Sequence, residues 1–174
     1  MFNTKLKKTA LSALLAAICF IVTRLIAIPS FYTKGYINIG DCAVLLCAFL
    51  PGGIYGALAA AIGSALSDLT AGYPVYVPAT FVIKGLMALA AYPVFLKAKN
   101  CKSHAKRIAL ILVGCVTAEI IMVAGYFLYE LALYGAAAVF SIVGNLIQAV
   151  TCTVIGTAAV YAFSLNKSVN SIIK

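Results

Sequence analysis

The 174 residues include one histidine, His104, and four carboxylate side chains, Asp41, Asp68, Glu119 and Glu130. No GxxxxGK[ST] phosphate loop, GxSxG elbow or HExxH pair occurs, so signatures for ATP hydrolysis, a serine nucleophile and a zinc protease are all missing. Six cysteines (Cys19, Cys42, Cys47, Cys101, Cys115, Cys152) show no CxxC spacing and no Cys/His cluster. Five of them lie in or beside apolar runs, where a free thiol behaves as a small hydrophobe. Neither a disulfide framework, a metal site nor a cofactor is read from them. His104 falls in a basic stretch, where a solvated role is expected. The chain therefore reads as a non-enzyme, and a small-molecule binder without its own energy source must couple to an ion gradient or rely on a partner.

Charge of either sign is scarce. Charged residues make up 10% of the chain and apolar residues 64%, a balance that a soluble domain of this size does not sustain. The apolar residues gather into stretches at about 9–28, 38–50, 54–70, 80–96, 108–131 and 137–163, at lengths suited to membrane helices. The expected fold is an all-α integral membrane protein, a single domain over 1–174 with six transmembrane helices. The first stretch follows a basic start as a signal peptide would. No small-x-small cleavage site follows it cleanly, and its removal would spoil the even span count, so it is read as a span.

The second segment is short. At ~1.5 Å per residue it covers ~20 Å, less than the ~30 Å hydrocarbon core. It begins below the outer surface, so the loop before it, 29–37, dips inward too. Irregular backbone at that depth needs protein or a wet cavity around it. Leu50-Pro51-Gly52-Gly53 reads as a tight inner turn, 71–79 as an outer loop, 97–107 as a basic inner connection, and Gly135 as a tight outer turn.

The net charge of +9 invites a nucleic-acid reading, but its distribution points to a membrane. Lys5, Lys7 and Lys8 precede the first stretch; Lys97, Lys99, Lys102, Lys106 and Arg107 crowd the middle connection; Lys167 and Lys174 follow the last. Ten of the thirteen basic residues thus fall on one side of a six-span weave, and only Lys34 sits in an opposite loop. Lys/Arg-rich short loops stay in the cytoplasm, which places both termini there, in a multi-pass protein of the cell membrane.

The ionisable residues within spans are Arg24, Asp41, Asp68, Lys84, Glu119 and Glu130, all at mid-depth or outward. Two readings stand side by side. They staple helix ends as pairs, Arg24 with Asp41 or Asp68 and Lys84 with Glu119 or Glu130, or they line a functional cavity. The deeper Glu119 and Lys84, with Asn145 and Gln148 three residues apart on one helical face, favour the cavity. Glu119, Tyr126 and Glu130 project from one face of the fifth span.

Tyrosines repeat the asymmetry. Tyr32, Tyr36, Tyr73, Tyr76, Tyr126, Tyr129 and Tyr134 lie outward, against Tyr55, Tyr92 and Tyr161 inward. Interfacial belts form at both surfaces, so a belt alone does not explain the imbalance, whereas a pocket that stacks a flat ring does. Tyr73-Pro74-Val75-Tyr76-Val77-Pro78 is too apolar and too stiff for an idle linker. Small residues mark helix contacts: Ala13 and Ala17 on span one, extended by Thr9 and Ala10, and Gly56, Ala60 and Ser64 on span three. Internal packing is expected for span three; for span one the physics leaves internal packing and a partner both open.

The segments Gly35-Tyr36-Ile37-Asn38-Ile39-Gly40-Asp41, Pro51-Gly52-Gly53, Gly63-Ser64-Ala65-Leu66-Ser67-Asp68-Leu69, Gly72-Tyr73-Pro74 through Lys84-Gly85, Glu119 to Glu130 and Gly144-Asn145-Leu146 follow one another in a recognisable order. In this they resemble the substrate-binding S components of energy-coupling factor (ECF) vitamin transporters, in the riboflavin-type branch that includes proteins assigned to hydroxymethylpyrimidine and pyridoxine. The resemblance covers nearly the whole chain. It implies a vitamin held near the outer surface, between helices four to six and the outer loops. It also implies that Ala13 and Ala17 dock on a transmembrane T component driven by two ATPase subunits, and that the S component topples in the membrane to carry its ligand inward.

The expected site combines both lines. Loops 29–37 and 71–79 act as a lid, with Asn38 and Asp41 at the inner end of the first. Tyr36, Tyr73, Tyr76 and Tyr126 stack a heteroaromatic ring. Glu119 accepts hydrogen bonds from ring substituents, while Asn145, Gln148 and Lys84 fix hydroxyl or ring-nitrogen groups. A buried carboxylate suits an amino- or hydroxyl-bearing pyrimidine or pyridine, so hydroxymethylpyrimidine or pyridoxine is favoured over riboflavin. A proton-coupled secondary transporter using Glu119 is the alternative; an intramembrane enzyme lacks a nucleophile, an acid/base pair or a metal cluster.

Overall fold

The computed structural model describes residues 4–25, 27–29 and 36–166. In chain order these form α1 (Thr4–Leu25), β1 (Ala27–Pro29), β2 (Tyr36–Asn38), α2 (Asp41–Phe49), α3 (Gly53–Ala71), α4 (Val77–Lys99), α5 (His104–Tyr134), a 3-10 turn (Gly135–Ala138) and α6 (Val139–Leu165). By length and hydropathy α1, α3, α4 and the 104–165 run, bent at Gly135 into α5 and α6, are long and apolar enough to cross a membrane. Their outward faces carry exposed Leu14, Ile120, Val143 and Val150, which only a lipid environment would solvate well. This is a membrane protein.

α2 is the exception. Its nine residues rise only ~14 Å, too little to cross. The short second segment is therefore observed, and shorter than expected. α2 forms the centre of the bundle: Val44, Leu45, Cys47, Ala48 and Phe49 are fully buried, with α1, α3, α4 and α6 around them. At Gly56 of α3 an added Cβ would lie 2.1 Å from the Cys47 carbonyl oxygen, so the α2 and α3 backbones touch there. Ala60 and Ser64 are buried on the same helix, and Ser64 Oγ meets Cys19 Sγ of α1 at 3.2 Å. The small residues of α3 thus serve internal packing. Ala13 and Ala17 of α1 are exposed and border a groove that runs between α1 and α3 past Phe20, Tyr55 and Leu58.

Several boundaries differ from expectation. α1 starts among Lys5, Lys7 and Lys8 rather than at 9, because lysines are good helix formers whose ammonium groups reach the interface on long stems. It stops at Leu25 rather than 28 because the chain turns into a two-stranded antiparallel ribbon, with Ala27 opposite Asn38, Ile28 opposite Ile37 and Pro29 opposite Tyr36. Among the described residues that short ribbon is the one exception to an otherwise all-helical fold, and it pairs backbone groups that a dipping loop would leave bare. The connection expected over 97–107 shrinks to 100–103: α4 runs through Lys99, and Ser103 caps α5 by accepting from the Lys106 amide. The loop expected over 71–79 shrinks to 72–76, since Pro78 sits in the first turn of α4, where its missing N–H costs nothing. His104 is exposed and bonds the Tyr161 hydroxyl at 2.9 Å. All six cysteines are free thiols. Tyr32, Lys34, the rest of 30–35, Lys167 and Lys174 lie outside the described residues.

Candidate functional site

A cavity opens at the ribbon end of the bundle. Five elements build it, Asp68 coming from near the end of α3 and the others entering through residues placed by helical or strand spacing. Tyr76 precedes α4 directly and Thr80 lies one turn in; Tyr126 and Glu130 are one turn apart on α5; Ser141, Asn145 and Gln148 share a face of α6; Tyr36 and Asn38 come from β2. The space among them is about 540 Å³, counting its open mouth. Gly144 lets β2 come close, since a Cβ there would lie 2.8 Å from Ile37 Cδ1.

The polar groups of the upper wall are cross-tied. The Tyr76 hydroxyl donates to Glu130 Oε1 at 2.9 Å. Asp68, near the end of α3, accepts from the Tyr36 hydroxyl at 2.5 Å and from Thr80 Oγ1, which also meets the Tyr126 hydroxyl at 2.9 Å. Burial first, then the Asp68 carboxylate, pushes the Tyr36 hydroxyl above its ordinary range, so it stays a donor. The Tyr76 and Tyr126 rings stand 6.4 Å apart, centroid to centroid. Two buried atoms of the lining have no partner among the described residues, Glu130 Oε2 and Asn145 Nδ2. One offers an acceptor and the other a donor to whatever enters, and buried polar atoms without partners are uncommon enough to need a reason.

Beneath the cavity the chain continues into a buried relay. The Asn38 amide donates to Gln148 Oε1 at 2.8 Å, and Gln148 Nε2 donates to Asp41 Oδ2 at 2.5 Å. Asp41, the first residue of α2, pairs through its other oxygen with the Lys84 ammonium. That ammonium also lies 5.2 Å from the centre of the Tyr126 ring. Glu119 is deeper still, 3% exposed, with neither carboxylate oxygen hydrogen bonded.

The structure thus brings Tyr36, Asn38, Tyr76, Tyr126, Asn145 and Gln148 to the cavity wall. Tyr73 is not part of that wall; it stacks on Tyr36 with ring centroids 4.8 Å apart. Lys84 and Asp41 form the floor rather than the wall. Glu119 does not reach the cavity as expected, because seven residues separate it from Tyr126, nearly two turns along α5. Glu130 and Asp68 supply the carboxylates instead. Their positions at span ends suggested staples, and the tyrosine hydroxyls they hold were not anticipated. The expected pairs are corrected as well: Asp41 takes Lys84, leaving Arg24 exposed near the end of α1, and Asp68 is held by hydroxyls. Thr80 and Ser141 were missed, since a hydroxyl in an apolar run gives little signal.

Over residues 3–164 the chain matches the family described as ECF-type riboflavin transporter, S component. It belongs to that family. An S component is the substrate-binding subunit of an ECF transporter, and such subunits work with a T component and ATPases. The chain is also 36% identical, over 137 residues, to an uncharacterized protein of Pyrococcus woesei, a match that spans 78% of this chain and 87% of that one. The fold is similar to the crystal structure of the S component for biotin from an ECF-type ABC transporter, with a TM-score of 0.66 at 16% identity and all of both chains covered. The family and its fold are those of transporter subunits rather than enzymes.

Proposed function

We propose that this S component captures, with high affinity, a small flat heteroaromatic vitamin or vitamin precursor in the tyrosine-walled cavity. A single ring bearing amino or hydroxyl groups fits best, which favours hydroxymethylpyrimidine or pyridoxine, with riboflavin next. The observation that carries this reading is the pair of unpartnered buried atoms, Glu130 Oε2 and Asn145 Nδ2, beside the Tyr76 and Tyr126 rings. A ring substituent donates to Glu130, and a ring nitrogen or hydroxyl accepts from Asn145.

The lid is strand β2, held to the bundle by Tyr36 on Asp68 and by the Asn38 amide on Gln148. Tyr73 stiffens it from outside. The chain crosses the cell membrane in a six-helix arrangement with both termini in the cytoplasm, α2 being the one helix that stops part-way. The cavity then faces outward, and the exposed Ala13 and Ala17 meet the T component, which two ATPase subunits drive. Support for this orientation is the weight of lysine and arginine at 5–8 and 97–107.

Native mass spectrometry of the purified protein tests the ligand class: a co-purified mass matching a substituted pyrimidine or pyridine is expected. Calorimetry with the candidate vitamins then ranks them. The alternative, a proton-coupled transporter using Glu119, has in its favour that this buried carboxyl has no hydrogen-bond partner. It requires uptake by liposomes containing this chain alone, abolished by an uncoupler, whereas the S-component reading requires binding without turnover until the partners are added.

A further inference from the structure

We infer that Asp41, Glu119 and Cys152 form a site for one borderline-soft divalent metal ion, Zn²⁺ being the fitting example, buried beneath the vitamin cavity. The three residues come from different helices, the start of α2, the middle of α5 and α6. All are buried, and a carboxylate oxygen of each acid and the Cys152 Sγ lie within 4.8 Å of one another. Independently, Glu119 is 97% shielded, with both oxygens unpartnered. A buried carboxyl without a partner calls for a cation, a donor or a proton of its own.

Charge neutrality selects the ion. Lys84 and Asp41 cancel. A metal that displaces the Cys152 thiol proton and any proton on Glu119 meets two negative charges, which one divalent ion brings to zero. Magnesium and calcium require about six or more oxygen ligands, which two carboxylates and a sulfur do not supply. Mixed oxygen and sulfur donors suit Zn²⁺. At metal–ligand lengths of ~2.0–2.3 Å, tetrahedral ligand atoms are roughly 3.5 Å apart, so the side chains need draw together by about 1 Å.

Lys84 does not block the site. It occupies Asp41 Oδ1 and Gln148 occupies Oδ2, while a carboxylate has about four lone-pair positions. These two partners fix the Asp41 carboxylate in place, as hydrogen bonds commonly do for metal-ligating carboxylates. Binding expels the thiol proton, and any proton held on Glu119, into solvent. Three protein ligands leave a fourth position for water. Because the site lies below the cavity, it stands whichever vitamin is bound above.

The test uses the full-length protein, stripped with a chelator, in lipid nanodiscs. Co²⁺ serves as a spectroscopic probe and Zn²⁺ as the calorimetric titrant. One equivalent of Co²⁺ is expected to produce a thiolate-to-cobalt charge-transfer band that Cys152→Ser abolishes. Zn²⁺ affinity should fall at least tenfold in Glu119→Gln. Cys101→Ser, which removes the half-buried thiol three residues before His104, should retain both signals. No stoichiometric binding, a band that persists in Cys152→Ser, or unchanged Zn²⁺ affinity in Glu119→Gln overturns the inference, and the last outcome makes a proton the counter-charge. If Glu119→Gln fails to fold, the cobalt band in wild type against Cys152→Ser decides alone.

Discussion

Asp41 and Lys84 form an ion pair inside the bundle, with side chains 0% and 2% exposed. Cys42 and Ala43 follow Asp41 directly in the core, so its carboxylate is fixed at the first turn of α2 and Lys84 must extend from α4 to reach it. Removing one member of such a pair strands the other's charge, which costs more than the intact pair contributes.

Lys84→Met is therefore expected to destabilise the protein by about 3–5 kcal/mol. The double variant Asp41→Leu/Lys84→Met should lose less than Lys84→Met alone, because no lone charge stays buried. Thermal melting in nanodiscs checks both. A double variant that melts below the single would refute the charge-stranding account.

Glu130→Gln and Asn145→Leu remove the unpartnered acceptor and donor of the cavity. A hydrogen bond to a charged group is worth about 1.5–3 kcal/mol, so Glu130→Gln should weaken vitamin binding roughly ten- to a hundredfold by calorimetry. Asn145→Leu should weaken it less, at about 0.5–1.5 kcal/mol for a neutral bond. Equal affinity in both variants would place the ligand elsewhere.

Tyr76 contributes a ring and a hydroxyl, and these are separable. Tyr76→Phe keeps the ring beside Tyr126 and releases Glu130 Oε1, so a change of only a few fold is expected. Tyr76→Ala removes an aromatic partner worth about 0.5–1.5 kcal/mol beyond its buried area and should bind clearly worse than Phe. The ordering wild type, Phe, Ala is the prediction.

Ala13→Trp/Ala17→Trp places bulk on the exposed side of α1, away from the cavity. Vitamin binding by the isolated subunit should persist while co-purification with the T component is lost. A complex that survives both substitutions would move the docking surface off α1.

Gly56→Ala pushes a methyl into the Cys47 carbonyl, and two touching backbones cannot yield as a side chain would. A loss of about 1–3 kcal/mol is expected from such overpacking. Gly85→Ala, whose nearest neighbour across the gap is the Ala61 methyl at 3.6 Å, serves as the mild comparison on the same melting curve.

The membrane helices were legible because residue spacing, apolar run length and lysine placement all act locally. The short α2 followed from counting residues against bilayer thickness. The β ribbon was not legible: Ala27-Ile28-Pro29 reads as a span end, and only tertiary pairing with Tyr36-Ile37-Asn38 makes it a strand. The cavity's tyrosines and the Asn145/Gln148 face were visible from their clustering. The division of labour among carboxylates was not, since depth along one helix does not say which hydroxyls and ammonium groups of neighbouring helices each carboxylate meets. Glu119 and Glu130 share a face of α5, yet only Glu130 lies where α2 no longer fills the bundle.

That shortfall leaves room at the ribbon end of the bundle. Ahead of Asp41 the chain leaves the helix for β2, whose Tyr36, Ile37 and Asn38 line the cavity in place of further helical turns. A further helical turn ahead of Asp41 would displace those three residues, so the start of one short helix decides what stands at the chamber's edge.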